Sequence, residues 1–317
     1  QVRDMPAPEP KPGQVRVRMV ASPINPSDLL VVRGAYGWMP ALPATPGFEG
    51  VGVVEANGGG LLGRLWLGRR VVVISDRGGN WRERNIVPAR QVVPVAADIP
   101  DEQAASFFVN PASALVMTRY LLNVPRGAWL LQTAAGSALG RMVIRLGKYY
   151  GFRTINVVRR REQADQLLQL GGDEVICTAD EIMEKRVKAI TGGQMVPFAL
   201  DAVGGATGTS VVTCLGAGGR MLVYGLLSGE PIILQPRVLM TGQKSIAGFW
   251  LAEWAKRQRI LTMLRLFRRI AQLMRKNVLT SPIAGTYGLA DIAVAVQQAE
   301  TPGREGKIIL KCSGDPP

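Results

Sequence analysis

Residues 128–140 read AWLLQTAAGSALG, and this stretch decides the fold. Its first six residues suit a buried strand, which passes through small residues into a helix whose apolar face is Leu139, Met142, Val143 and Leu146. Such a turn brings free N–H groups and the positive end of a helix dipole together, the arrangement that holds a pyrophosphate. Only Gly136 and Gly140 are glycines, so a strict GxGxxG is absent, and a tight strand-to-helix turn of no function has the same pattern. The next strand, TINVV, runs into VVRRRE, with Arg159 lying 19 residues after Gly140. An acidic residue about 20 positions beyond the glycine turn accepts ribose hydroxyls, whereas a basic one suits the 2′-phosphate of NADP. Arg159, Arg160 and Arg161 therefore point to NADPH, because guanidinium forks match phosphate oxygens. Three arginines solvating a loop of a basic chain are the alternative.

Outward from this stretch, residues from about 112 to 249 continue as apolar strands (DEVI, FALDAV, RMLVYG) alternating with helical segments. That alternation is a parallel sheet covered on both faces. Residues 1 to about 95 instead carry short alternating strands (QVRVRMVAS, GVGVVEA, RRVVVIS) broken by Pro and Gly, an irregular β region. The last strand is KIILK, after a hinge near Phe249.

The 317 residues hold 38 basic and 24 acidic side chains, three cysteines far apart and no histidine. Lacking imidazole, the chain has neither a Ser-His-Asp triad nor a His-ligated zinc, and proton transfer falls to Tyr, Lys, Cys, a carboxylate, water or the substrate. Cys177, Cys214 and Cys312 have no CxxC spacing, so no disulfide framework or cysteine metal site is expected, and the chain reads as intracellular. No apolar stretch approaches the roughly 18 residues of a membrane span. The sequence enters at Gln1 in mid-phrase, so a preceding segment is where targeting information would lie.

The net charge of +14 is uneven. Between Ala255 and Val278 lie eight basic residues (Lys256, Arg257, Arg259, Arg265, Arg268, Arg269, Arg275, Lys276) and no acidic one, while Ile260, Leu264, Phe267, Leu273 and Met274 fall near helical spacing. This is an amphipathic helix with a basic face, either simply solvated or attracting an anionic partner such as a phosphorylated substrate or an acidic carrier protein. No aromatic-interleaved basic motif indicates nucleic acid.

Separated phrases then converge: INPSD (24–28), RGAYGWMPALPATPGFEGVGVV (33–54), VNPASA (109–114), TAAGSALG, TINVVRRR, DAVGG (201–205), GRMLVYG (219–225), GFWLAEW (248–254) and GKIILK (306–311). Their order resembles the zinc-independent medium-chain dehydrogenase/reductases, and more narrowly the trans-2-enoyl thioester reductases of mitochondrial fatty-acid synthesis and their bacterial relatives. Zinc enzymes of that superfamily typically have GHE where this chain has Phe48 and Glu49 after Gly47.

The resemblance implies an α/β fold of two domains. Residues 1–112 and 255–317 form a GroES-like β-barrel catalytic domain, and residues 113–254 an NADPH-binding Rossmann domain, with the active cleft between them. It implies NADPH-dependent reduction of the C=C bond of CoA or acyl-carrier thioesters, with Tyr36 as proton donor or carbonyl polariser and Asn25 beside it. Cofactor contacts carry over to Asn110, to Gly136, Ser137, Ala138 and Leu139, to Arg159, Arg160 and Arg161, to Tyr224, Gly225, Leu226 and Leu227, to Phe249, Trp250 and Leu251, and to Lys307. No metal site is implied. As a bare feature INPSD is equally a turn and helix cap, and the aromatic residues near 250 equally hinge packing. Ala138 replaces a common glycine, and Leu226 and Leu227 replace smaller residues, which puts the backbone approach there in question. The runner-up is a quinone oxidoreductase or small-enone reductase, and a third reading is a non-catalytic NADPH-binding protein. A homodimer pairing through GEPIILQPRVL (229–239) is expected, with no nucleic-acid or membrane partner. A bacterial cytoplasm is the expected compartment and a mitochondrial matrix the alternative.

Overall fold

The computed structural model describes residues 2–301 and 303–313. The chain divides into two compact units, one made of the residues up to Pro111 together with those from Phe267, the other of Ala112–Leu266. The sequence reading put the second junction at 254/255, whereas it falls inside the helix Ile260–Arg275. Burial explains the difference: Ile270, Leu273 and Met274 are buried, and the Phe267 ring lies 6.5 Å from that of Phe107 and 5.8 Å from that of Phe108. The basic segment is also not one helix, because Leu251–Lys256 ends before Ile260 begins the longer one.

The first unit is built on a seven-stranded sheet. Its N-terminal strands are β1 (Gln14–Pro23), β2 (Glu49–Asn57), β3 (Arg70–Ile74), β4 (Arg84–Pro88) and β5 (Val92–Pro94). Strands β6 (Trp129–Gln132), β7 (Arg153–Val158), β8 (Glu174–Cys177), β9 (Val196–Asp201), β10 (Leu215–Val223) and β11 (Ser245–Gly248) belong to the second unit. The chain then returns with β12 (Ile283–Gly288) and β13 (Lys307–Lys311), which complete the first sheet. Along β1, Val15, Val17, Met19 and Ala21 are buried alternately, as successive strand side chains point to opposite faces. One edge of β1 pairs with β2, and the other is shared by β4 over Gln14–Arg18 and by β13 over Ala21–Pro23. One strand thus ties both ends of the unit together around a core that includes Val54, Val71, Val73, Val87, Ile308 and Leu310.

The second unit is a six-stranded, wholly parallel sheet ordered β11-β10-β9-β6-β7-β8. Its first strand, β6, lies beside its fourth, β9, so the winding reverses between them. In open α/β sheets that reversal places the ligand crevice outside the carboxyl ends of the two strands. Leu131, Ile155, Val157, Ile176, Ala199 and Met221 fill one core. The helix Ala138–Tyr150 buries Leu139, Met142, Val143 and Leu146 and ends at Gly151, whose φ of 81° suits the left-handed stop.

The segment 229–239 is not the expected edge strand. Among the described residues it has no ladder partner up to Gln235, and it then turns into the helix Pro236–Met240. Pro231 and Pro236 supply no N–H to a ladder, and the outermost strand on that side is β11. No helix of the described residues is long and apolar enough to cross a membrane.

Leu131 lies fully buried at the centre of the parallel sheet. Leu131→Ala is expected to lower unfolding free energy by about 2–5 kcal/mol, read as a lower urea midpoint at unchanged slope.

Candidate active site

In the second unit the carboxyl ends of four strands, β6, β7, β10 and β11, carry the residues singled out by sequence. After β6 the chain turns through residues 133–137. Ser137 caps the following helix, its Oγ accepting from the Gly140 N–H at 3.1 Å. A Cβ on Gly140 would lie 2.5 Å from the Ala135 carbonyl oxygen, so only glycine permits this packing of helix start on turn. The first-turn N–H groups of Ala138 and Leu139 have no acceptor within their own helix. At the winding reversal, Thr133 Oγ1 donates to Asp201 Oδ1 at 2.6 Å and accepts from the Ala202 N–H at 2.9 Å, locking the ends of β6 and β9 together. Asp201 also accepts from the N–H groups of Val203 and Gly204.

After β10, residues 224–227 fold back over the end of β9. The Tyr224 and Leu227 N–H groups donate to the carbonyls of Asp201 and Ala202. A Cβ on Gly225 would meet the Ala202 oxygen at 2.6 Å. The Tyr224 hydroxyl is buried without a partner, and burial beside Asp201 raises its pKa. Leu226 and Leu227 are exposed. After β11 the Phe249 N–H reaches the Val223 carbonyl at 2.8 Å, with Phe249 and Leu251 half-buried and Trp250 exposed.

At the end of β7, Arg159, Arg160 and Arg161 are all exposed. Arg161 donates to Asp180 at 2.9 Å, while the side chains of Arg159 and Arg160 form no ion pair among the described residues. The Gln163 side chain lies over Gly136. The turn at residues 133–137 and the segment that follows the three arginines, separated in sequence, are therefore neighbours.

In the first unit the predicted residues sit in a buried polar network. Asn25 precedes the helix Pro26–Val32 and forms a capping box with Asp28. Its Nδ2 donates to Glu49 Oε1 at 3.0 Å, and its Oδ1 accepts from Lys307 Nζ. Glu49 Oε2 accepts the N–H groups of Phe108 and Val109 at 2.8 and 2.9 Å, at the start of the helix Val109–Leu115 that carries the half-buried Asn110. Asp28 accepts from the Asn25 N–H at 2.8 Å and the Phe48 N–H at 2.9 Å. Burial pushes the Asp28 carboxyl up to about 7, against those two donors. Burial also lowers the Lys307 pKa, with Glu49 and Asp28 opposing.

Tyr36 is half-buried. Its ring lies 5.2 Å from the Phe48 ring and meets Trp38 edge-on at 6.0 Å. Phe48, in the position occupied by histidine in GHE phrases, is thus the ring that supports Tyr36. Among the described residues no group of three or more Cys, Asp or Glu is placed to hold a metal.

The structure thus brings Asn25 and Lys307 into direct contact as buried residues of the network, and groups the loops at the carboxyl ends of the second unit's strands. Sequence reasoning assigned no role to Asp28, Glu49, Thr133, Gln163 or Asp201. The Asn-x-x-Asp spacing was a readable cap signal for Asp28. The partners of Glu49 come from positions 59 and 60 residues away, and no local pattern announces them.

The raised Asp28 pKa makes its contribution to stability fall as pH rises from about 4 to about 7, because the folded state holds this proton more tightly than the unfolded chain. Asp28→Asn removes the titration. The melting temperature of the native protein minus that of D28N should therefore decrease across this window and level off above it. A flat difference would return the Asp28 pKa to its unfolded value.

The alcohol dehydrogenase GroES-like domain family matches residues 11–97, and the zinc-binding dehydrogenase family residues 138–269. The mitochondrial enoyl-[acyl-carrier-protein] reductase of Homo sapiens is 34% identical over 303 residues, covering 94% of this chain and 81% of that protein. Among solved structures, a provisionally assigned NADPH:quinone reductase from Bacillus thuringiensis superposes with a TM-score of 0.89 at 32% identity, over 98% of this chain and 92% of that one. The quinone oxidoreductase of Thermus thermophilus, solved also with NADPH, gives 0.80 at 26% identity over 98% and 95%. The chain belongs to the medium-chain dehydrogenase/reductase family, in its zinc-independent branch of enoyl reductase and quinone oxidoreductase-like proteins.

Proposed function

We propose that the protein is an NADPH-dependent, zinc-independent oxidoreductase that reduces the C=C bond of trans-2-enoyl thioesters. The observation that carries this reading is Tyr36, a phenol packed against Trp38 and against Phe48, the residue that stands where the GHE phrase has histidine. The named activity of the human relative supports it.

The second unit fits the cofactor. The close approach at Gly140 and the first-turn N–H groups suit a pyrophosphate, the partnerless Tyr224 hydroxyl has a hydrogen bond to give, and Arg159 and Arg160 match a 2′-phosphate. NADPH supplies the hydride when bound. Tyr36 then hydrogen-bonds the thioester oxygen where negative charge develops, or delivers the proton to the α-carbon. Asn25 and Lys307 act as positioning residues, since both are buried: with Glu49 they fix the backbone beside Asn110, and Asp28 fixes Phe48 beneath Tyr36.

The second reading, a quinone or small-enone reductase, is favoured by the names of the Bacillus and Thermus structures. It uses the same cofactor residues and needs no dedicated proton donor. NADPH oxidation with crotonyl-CoA, measured beside a quinone, separates the two. A homodimer belongs to the proposal: among the described residues β11 leaves its outer edge unpaired, and Ile233 and Met240 are exposed in the segment before it.

Tyr36→Phe should reduce turnover of crotonyl-CoA about 100-fold or more while leaving NADPH affinity within twofold. Unchanged turnover removes Tyr36 from the mechanism. Arg159→Ala should raise the KM for NADPH about 10- to 100-fold and leave that for NADH unchanged, the loss of one charge-assisted bond. Equal effects on both cofactors would assign Arg159 to the loop fold instead.

A further inference from the structure

The short helix Leu61–Trp66, in the first unit, turns its small and aromatic side inward and its leucines outward. Gly63 and Trp66, at i and i+3, face the body: a Cβ on Gly63 would lie 3.1 Å from the Asn57 Cβ, and Trp66 Nε1 donates to the Ala89 carbonyl at 3.2 Å. Leu61 is 85%, Leu62 46% and Leu65 52% exposed. Leu61 and Leu62 stand four and three residues before Leu65, so the three are neighbours on one surface. Leu67, just past the helix, is 48% exposed. Turns bracket the segment: a Cβ on Gly59, Gly60 or Gly68 would meet no atom within 4 Å, so the helix stands clear at both ends. A contiguous apolar cluster on the outside of a fold marks a surface that meets something other than water.

Charge around the cluster has one sign. Arg64, Arg69 and Arg90 are exposed and form no ion pair among the described residues, and Arg90 belongs to the turn Ala89–Gln91 on which Trp66 rests. Residues 56–75 contain no acidic side chain. We propose that Leu61, Leu62 and Leu65, rimmed by Arg64, Arg69 and Arg90, seat the protein on an anionic lipid surface. The leucines enter the boundary between headgroups and acyl chains, while the guanidinium groups stay among the lipid phosphates. The expectation of no membrane partner rests on spanning length, and a peripheral seat needs none. A second copy of this chain is a poor occupant, since two such faces would set the arginines against their own copies with no carboxylate of residues 56–75 to answer them. A protein groove is a poor fit as well. Grooves hold amphipathic helices through anchors that run from i to i+7, and this helix has six residues.

The test is co-sedimentation of the whole protein with vesicles of phosphatidylglycerol mixed with phosphatidylcholine, beside vesicles of phosphatidylcholine alone. The native chain is compared with L61S/L65S, which removes the apolar contact, and with R64Q/R69Q, which removes charge. All four side chains are exposed, so both variants should melt within about 2 °C of the native protein. The expected result is that the native protein sediments with the anionic vesicles and stays in solution with the neutral ones. Each variant should weaken that binding by about tenfold or more, and salt should weaken it in the native protein. Native protein that ignores the anionic vesicles overturns the proposal. Binding that L61S/L65S retains in full also overturns it, by assigning adhesion to the +14 net charge at large. Molecular mass by light scattering is read in parallel without lipid, and a native mass that falls in L61S/L65S makes the leucine face a contact between copies and overturns the lipid seat.

Discussion

The Glu49 carboxylate is the constraint on which the first unit depends. A buried carboxylate is costly unless every lone pair is engaged. Here Oε1 accepts from Asn25, Oε2 accepts two backbone N–H groups, and the residue's own carbonyl accepts from Ser22 Oγ at 2.6 Å. Lys307, arriving on the last strand, closes the network through Asn25. Four separated pieces of chain are thereby held in one register: the end of β1, the start of β2, the segment entering Asn110 and the start of β13. Removing any member leaves another buried polar group without its partner, which is why the network acts as a unit.

The second unit obeys a different constraint, the close approach of backbone at the carboxyl ends of its strands. Gly140 lets a helix start against the Ala135 carbonyl, and Gly225 lets one loop lie on the Ala202 carbonyl. The Thr133 to Asp201 bond joins the two strands at which the winding reverses. These contacts produce a surface of free N–H groups and arginines. A helix start and fixed positive charge are the features by which the proposed cofactor phosphates would be held there.

The proposed chemistry divides between the two units accordingly. In the proposed cofactor site phosphate recognition rests on backbone geometry, and the close approach of helix start to turn is made at Gly140, not at Ala138. In a chain without histidine the proposed reaction assigns proton delivery to one phenol, and aromatic packing from Phe48 and Trp38 limits the orientations of Tyr36. Asp28 serves both local and distant structure, capping one helix while fixing the Phe48 backbone.

The sequence by itself determined the parallel sheet, the strand-to-helix turn at residues 133–137, the basic end of the second strand and the exclusion of histidine chemistry. All of these are written in local period, composition and spacing, and local rules govern them. The tertiary structure alone decided that Asn25 and Lys307 are buried members of a network, and that Glu49 organises the segment of Asn110. It decided too that Arg161 is taken by Asp180 while Arg159 and Arg160 are not, and that the segment 229–239 is no strand within this chain. The junction inside the helix Ile260–Arg275 belongs to the same class, because its position follows from what Phe267, Ile270 and Leu273 bury. Those outcomes rest on which partners meet across separations such as the 282 residues between Asn25 and Lys307, and no periodicity along the chain encodes such meetings.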